Sequence, residues 1–139
     1  EDAISHEKKL AFSIHIAEGL EYLSTHGYVH RDIASRNVLV DHKECCKLGD
    51  FGLCREVRKE DEHYLSRGGR LPHKWMSPEA LEKNKFSPAS DAWSFGILLY
   101  EIATLGATPY PDWLVSELLP RLKGGERMER PLEGCTDEM

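Results

Sequence analysis

"SPASDAWSFGILLYEIATLG", residues 87–106, is apolar on almost every side once it is wound as a helix. A helix without a polar face has to be surrounded, so this segment belongs at the centre of a bundle, with its buried part expected at about 89–104. Just before it, "SPEALEK" (77–83) reads as a short helix with Pro78 in the first turn, where a missing N–H costs nothing. Between 53 and 74 the chain is charged and glycine-bearing and shows no sustained period. A loop of that length in a compact domain is either functional or disordered.

Further out, "NVLV" (37–40) and "CCKLG" (45–49) flank the polar turn "DHKE" and suit a small β-hairpin. From Ser5, a fair N-cap, residues 8–27 read as one long helix that Gly27 stops. Leu10, Ile14 and Ala17 share one face, and Ile16, Leu20 and Leu23 widen it, a breadth that implies burial on more than one side. Downstream, "PYPDW" is a loop, "SELLPRLKGG" (116–125) is a shorter amphipathic helix interrupted by Pro120, and "RPLEGCTDEM" (130–139) ends without a closing element. The expected fold is mainly α with a small β-hairpin, in one domain over residues 1–139.

Composition narrows the function classes. The 139 residues are 40% apolar, enough for a core. Eighteen Lys and Arg against 24 Asp and Glu give a net charge of −6, which argues against a broad nucleic-acid surface or a polybasic membrane anchor. The longest strongly apolar run is too short to span a bilayer, and "EDAISHEKK" has neither the basic start nor the apolar core of a signal peptide, so a soluble chain is expected. Cys45, Cys46, Cys54 and Cys135 follow neither zinc-ligand spacing nor a disulfide framework, which fits a reducing, intracellular compartment.

The chemistry-bearing residues concentrate at "HRDIASRN" (30–37), on the loop between helix and hairpin, and at "GDFG" (49–52) after it. Asn37 and Asp50 are two hard oxygen donors of the kind magnesium takes when phosphate and water complete its shell. Asp32 is then free to face a substrate hydroxyl. Singly, each has an ordinary use: Asp32 in a turn, Asp50 as a cap, Asn37 satisfying loop backbone. Together they point to a site.

These segments resemble the catalytic domain of eukaryotic protein kinases, and more narrowly protein tyrosine kinases of the receptor type. "HRDIASRN" fits H-R-D-x-x-x-x-N, "DFG" follows at 50–52, "SPE" at 77–79 stands where A-P-E is usual, and "SDAWSFG" lies on the buried helix. The resemblance implies a kinase C-lobe, part of a two-lobed α+β parent domain, with the catalytic loop at 30–37 and an activation segment at 50–79. It implies ATP and Mg2+ as cofactors. Asp32 would orient the acceptor hydroxyl and take its proton, and Asn37 and Asp50 would hold magnesium. Leu39 would lie under the adenine ring, His30 and Phe51 would join a stack between lobes, and Asp91 would tie down the catalytic-loop backbone.

Ala34 stands where serine/threonine kinases usually carry Lys, and Arg36 follows, an A-x-R order similar to that of receptor-type tyrosine kinases. Arg36 would then fix the loop and the substrate. "LPHKWMSPE" (71–79), with Pro72 and Trp75, is similar to the segment that positions a tyrosine substrate. Tyr64 stands where a regulatory phosphotyrosine is usual, with Arg31 and Arg55 as candidate cations for its charge.

Ser77 for the usual Ala and Ala92 for the usual Val are small departures. Glu79 resembles the glutamate that pairs with an arginine late in such domains, and no such arginine follows. No glycine-rich loop, V-A-I-K lysine or partner glutamate precedes residue 1. The expectation is a piece incomplete at both ends, inactive alone, from a parent enzyme that phosphorylates protein tyrosines, with a second kinase copy as a partner for trans-phosphorylation. The location expected is the cytoplasm, or the cytosolic side of the plasma membrane, with contact to the membrane only through other parts of the parent. A pseudokinase or docking scaffold is the alternative, which the intact Asp32, Asn37 and Asp50 disfavour. A metal-dependent hydrolase accounts for neither the long loop nor "LPHKWMSPE".

Overall fold

The computed structural model describes residues 4–57, 63–65 and 71–131, with Tyr64 and Leu65 described by their backbone alone. Its long helices are α1 (His6–Thr25) and α3 (Pro88–Ala103), and shorter ones are α2 (Pro78–Lys83) and α4 (Val115–Lys123). The strands are β1 (Tyr28–Val29), β2 (Val38–Val40), β3 (Cys46–Leu48), β4 (Arg55–Glu56), β5 (Tyr64–Leu65) and β6 (Lys85–Phe86). They pair antiparallel as β1–β4, β2–β3 and β5–β6. The fold is mainly helical, as the sequence leads one to expect.

Local chemistry sets the helix ends. The Ser5 hydroxyl accepts the Lys8 N–H at 3.2 Å to start α1, and Gly27, at φ 78, takes the chain out of it in a left-handed turn. At α3 the Ser87 and Ser90 hydroxyls accept each other's backbone N–H at 3.3 and 2.9 Å. Lys9 Nζ reaches across from α1 to the Ala103 carbonyl at 2.9 Å, placing a cation at the negative end of α3.

Three apolar clusters hold the elements together. Ile16, Ile33, Cys46 and Leu98 join α1, the 30–37 loop, β3 and α3. Val29, Met76, Ala80 and Phe86 form a second cluster, and Ile97, Tyr110, Leu118 and Leu122 seat α4 on α3. Leu98 and Ile33 are fully buried, each worth about 1.5–3 kcal/mol relative to exposure.

Three local expectations are corrected. Leu10 and Ile14 are 43% and 49% exposed and Ala17 is exposed, so the covered face of α1 is the one bearing Ile16 and Leu20. Periodicity marks an apolar stripe but not which edge of a broad one finds a neighbour. Pro120 lies inside α4 without ending it, because burial of Leu118 and Leu122 outweighs one lost backbone bond. The loop at 53–74 contributes β4 and β5, which pair with distant strands and therefore leave no local pattern. Cys45, Cys46 and Cys54 are free thiols, and Cys135 lies outside the described residues. Among the described residues no helix is long and apolar enough to cross a membrane.

Candidate active site

The loop leaving β1 is pinned from behind by the central helix. Asp91, in the first turn of α3, accepts the His30 N–H on Oδ2 at 2.8 Å and the Arg31 N–H on Oδ1 at 3.1 Å. Burial pushes the Asp91 carboxyl above the ordinary carboxylate range, against the opposing pull of those two N–H groups. Arg31 sits at φ 71, a conformation that needs such outside support.

His30 is fully buried and bridges the two halves of the site. Its Nδ1 accepts the Asp32 N–H at 3.1 Å and its Nε2 faces the Gly49 carbonyl at 2.9 Å, so the tautomer with hydrogen on Nε2 satisfies both ring nitrogens. Its ring lies 5.3 Å from that of Phe51, which is itself half exposed.

Asp32 and Arg36 form an ion pair within one turn of chain. It engages Asp32 Oδ1, and Oδ2 has no hydrogen bond among the described residues. Asn37 uses its amide nitrogen to hold the Asp32 carbonyl at 2.8 Å, which leaves its Oδ1 as an oxygen donor. The hairpin then decides where Asp50 goes. Val38 faces Leu48 in the β2–β3 register, and the Gly49 N–H donates to the Asn37 carbonyl at 2.7 Å, so the chain passes Asn37 directly before reaching Asp50. At Asp50 the backbone is left-handed (φ 46) and the side chain accepts the Gly52 N–H at 3.3 Å.

The donor chemistry at this corner suits a hard divalent cation. Asn37 offers an amide oxygen and Asp50 a carboxylate, and no group of three or more His, Cys, Asp and Glu residues among those described forms a self-sufficient cage. Leu39 lies next along β2 and is 63% exposed.

Residues 71–76 run along the other side of the loop. Trp75 donates its indole N–H to Glu101 Oε2 at 3.0 Å, and its ring lies under the Arg36 guanidinium at 4.7 Å. Pro72 is half-buried and its carbonyl accepts the Trp75 N–H at 3.0 Å. Glu101 also accepts the Ser35 N–H at 2.9 Å and the Ser35 hydroxyl at 2.6 Å. The sequence reading missed Glu101, although a lone carboxylate in the apolar run 93–106 was itself a signal, because such a group survives burial only with partners.

The candidate regulatory residues are less closely gathered. Arg31 is buried, with Nε on the Leu53 carbonyl at 2.7 Å and its guanidinium 5.1 Å from the Phe86 ring centre. Arg55 donates to the carbonyls of Gly52 and Cys54 at 3.1 and 2.7 Å. The Tyr64 backbone pairs with Phe86 in the β5–β6 ladder, while its side chain lies outside the described residues. Glu79, half-buried in the first turn of α2, has no ion pair among the described residues.

The family model for protein tyrosine and serine/threonine kinases matches residues 1–139. Fibroblast growth factor receptor 1 of Pleurodeles waltl is 45% identical over 138 residues, which is 99% of this chain and 17% of that receptor. With the match running from the first residue to the last, the chain belongs to the protein tyrosine and serine/threonine kinase family.

Proposed function

We propose that this chain carries the phosphoryl-transfer centre of a protein tyrosine kinase that uses ATP and magnesium. The observation that carries the reading is the corner where the hairpin register sets Asn37 beside the Gly49–Asp50 turn while the Asn37 amide holds Asp32. Phosphoryl transfer asks for positioning and charge neutralisation more than for covalent chemistry; this corner would supply the first and the cation held there the second.

Asn37 Oδ1 and the Asp50 carboxylate would hold the cation. Magnesium there would neutralise charge on the triphosphate. Asp32 receives the acceptor phenol: its free carboxylate oxygen accepts the hydroxyl proton as the phenol oxygen bonds to the γ-phosphorus and the bond to the β,γ-bridging oxygen breaks, releasing ADP. Arg36 holds the other oxygen of Asp32 in place. Leu39, exposed beside this corner, would meet the adenine ring.

Tyrosine is the favoured acceptor because Ala34 and Arg36 replace the lysine pattern of serine/threonine enzymes and because Pro72 and Trp75 flank the loop. The 45% identity to a protein named a growth factor receptor supports a receptor-type parent, with this portion on the cytosolic side and protein tyrosines as substrates. Tyr64 is the proposed regulatory phosphorylation site, added by a second copy of the kinase. The test is phosphotyrosine formation on a tyrosine peptide by the full-length protein, with ATP and Mg2+. Labelling that depends on Asp32 is expected, and transfer to serine alone, or no transfer by folded protein, overturns the reading.

A further inference from the structure

The reading above does not use Glu101, the one carboxylate inside the apolar stretch of α3. It is 7% exposed, and among the described residues it is paired with no Lys or Arg. All its partners among the described residues are neutral donors from two segments far away in sequence: Ser35 of the catalytic loop, through both N–H and hydroxyl, and Trp75 of the segment expected to carry the peptide. A buried carboxylate satisfied in this way is costly to desolvate, and its hydrogen bonds are strong and directional.

What makes the arrangement more than a structural tie is where it leads. The Trp75 ring carries Arg36 on its face at 4.7 Å, and Arg36 in turn holds Asp32. Ser35 and Arg36 are neighbours in the short helical turn Ser35–Asn37, so Glu101 sets both the backbone from which Arg36 springs and the ring on which it rests. The Ser94 hydroxyl, two turns earlier on the same face of α3, donates to the Trp75 carbonyl at 2.6 Å and ties the Trp75 main chain to the helix that carries Glu101.

We propose that Glu101 is a positioning residue that couples the 72–76 segment to the Asp32 carboxylate, through Trp75 and Arg36. Contact of an acceptor peptide with the 72–76 segment is thereby registered at the oxygen that receives the phenol proton. The inference rests on the phosphoryl-transfer reading of Asp32. It predicts that the placing of Asp50 against Asn37 depends little on Glu101, because the Gly49 N–H ties the hairpin to the Asn37 carbonyl independently of it.

The experiment compares Glu101→Leu, Glu101→Gln and Trp75→Phe in the full-length protein, by steady-state phosphorylation of a tyrosine peptide and by backbone hydrogen exchange. Glu101→Leu is expected to lower kcat for the peptide by roughly 10- to 100-fold with KM for ATP unchanged. Glu101→Gln, whose amide can accept from Trp75 and Ser35 N and donate to the Ser35 hydroxyl, is expected to recover most of the loss. A purely structural Glu101 would lower the melting temperature and leave kcat of the folded variant at the wild-type value, and that result overturns the proposal.

Should Glu101→Leu not fold, Trp75→Phe carries the test, since it keeps an aromatic ring for Arg36 and removes only the indole donor. Its kcat is expected to fall with KM for ATP unchanged, and a wild-type kcat overturns the coupling. Hydrogen exchange separates the two readings. If the wild-type protein labels no tyrosine, the phosphoryl-transfer reading fails on its own. If Trp75→Phe leaves exchange at residues 35–37 unaltered, the coupling fails whatever the activity.

Discussion

The main-chain N–H of Arg31 donates to Asp91 Oδ1 at 3.1 Å across 60 residues of sequence, from a left-handed backbone at φ 71. With its companion bond from His30, it makes the first turn of α3 the anchor of the loop that carries Asp32. Replacing Asp91 with Ala strands two buried donors and releases the strained residue. The expected loss of stability is about 3 kcal/mol, read from the midpoint of urea denaturation. A change below about 1 kcal/mol would mean that the loop is held by something else.

Asp91 also sets a pH dependence. Its native pKa is raised above the ordinary 3.8 chiefly by burial, so between those two values the folded state binds more proton than the unfolded one. The contribution of this group to stability is therefore fully present below 3.8, declines as pH rises through the raised native value, and is level above it. Denaturation of wild type and Asp91→Asn across mildly acidic pH should show this decline in the wild type alone. A wild-type advantage that grows with pH would contradict the assignment.

Leu98 is wholly buried where α3 meets Ile16 of α1 and Ile33 of the 30–37 loop. Leu98→Ala should cost about 2–5 kcal/mol, the range for a core leucine whose surroundings collapse only partly. Calorimetry or chemical denaturation reads this directly.

Gly27 ends α1 at φ 78 while its carbonyl accepts the Val57 N–H at 2.7 Å. An alanine there keeps the carbonyl but brings a Cβ into a left-handed conformation, at about 1–2 kcal/mol. The Gly27→Ala midpoint should move accordingly, and a Gly27→Asn variant should lose less.

On the proposed function, Asp32→Asn in the full-length kinase should lower kcat by about 10²- to 10⁴-fold, the span typical of a lost general base, with KM for ATP little changed. Asp50→Asn should raise the magnesium concentration needed for half-maximal rate. Steady-state kinetics with varied ATP and Mg2+ distinguish the two, and identical profiles for both variants would show the roles to be misassigned.

Much of this molecule was legible along the chain because the signals are local. The Ser5 cap, the Gly27 stop, the Pro78 start of α2 and the β2–β3 hairpin around Asp41 all arise from interactions within a few residues. The Asp41 carboxylate, for example, accepts the N–H groups of Lys43 and Cys45 at 2.8 and 3.0 Å and closes the turn by itself. Its pKa is lowered, first by the Cys45 N–H. The order of Asp32, Asn37 and Asp50 is likewise written in the chain, since the loop ties Asn37 to the Asp32 carbonyl and the two-stranded hairpin brings Gly49, next to Asp50, to the Asn37 carbonyl.

The sequence alone could not say which side of α1 would be covered, that residues 55–56 and 64–65 would find β1 and β6, or that Glu101 would meet Ser35 and Trp75. Each depends on a partner tens of residues away, and a side chain carries no mark of which distant donor or apolar face will reach it. Composition and periodicity therefore determined the elements and the residues able to do chemistry. Packing around α3, where burial makes every carboxylate find its hydrogen bonds, decided how Asp91 and Glu101 hold that chemistry in place.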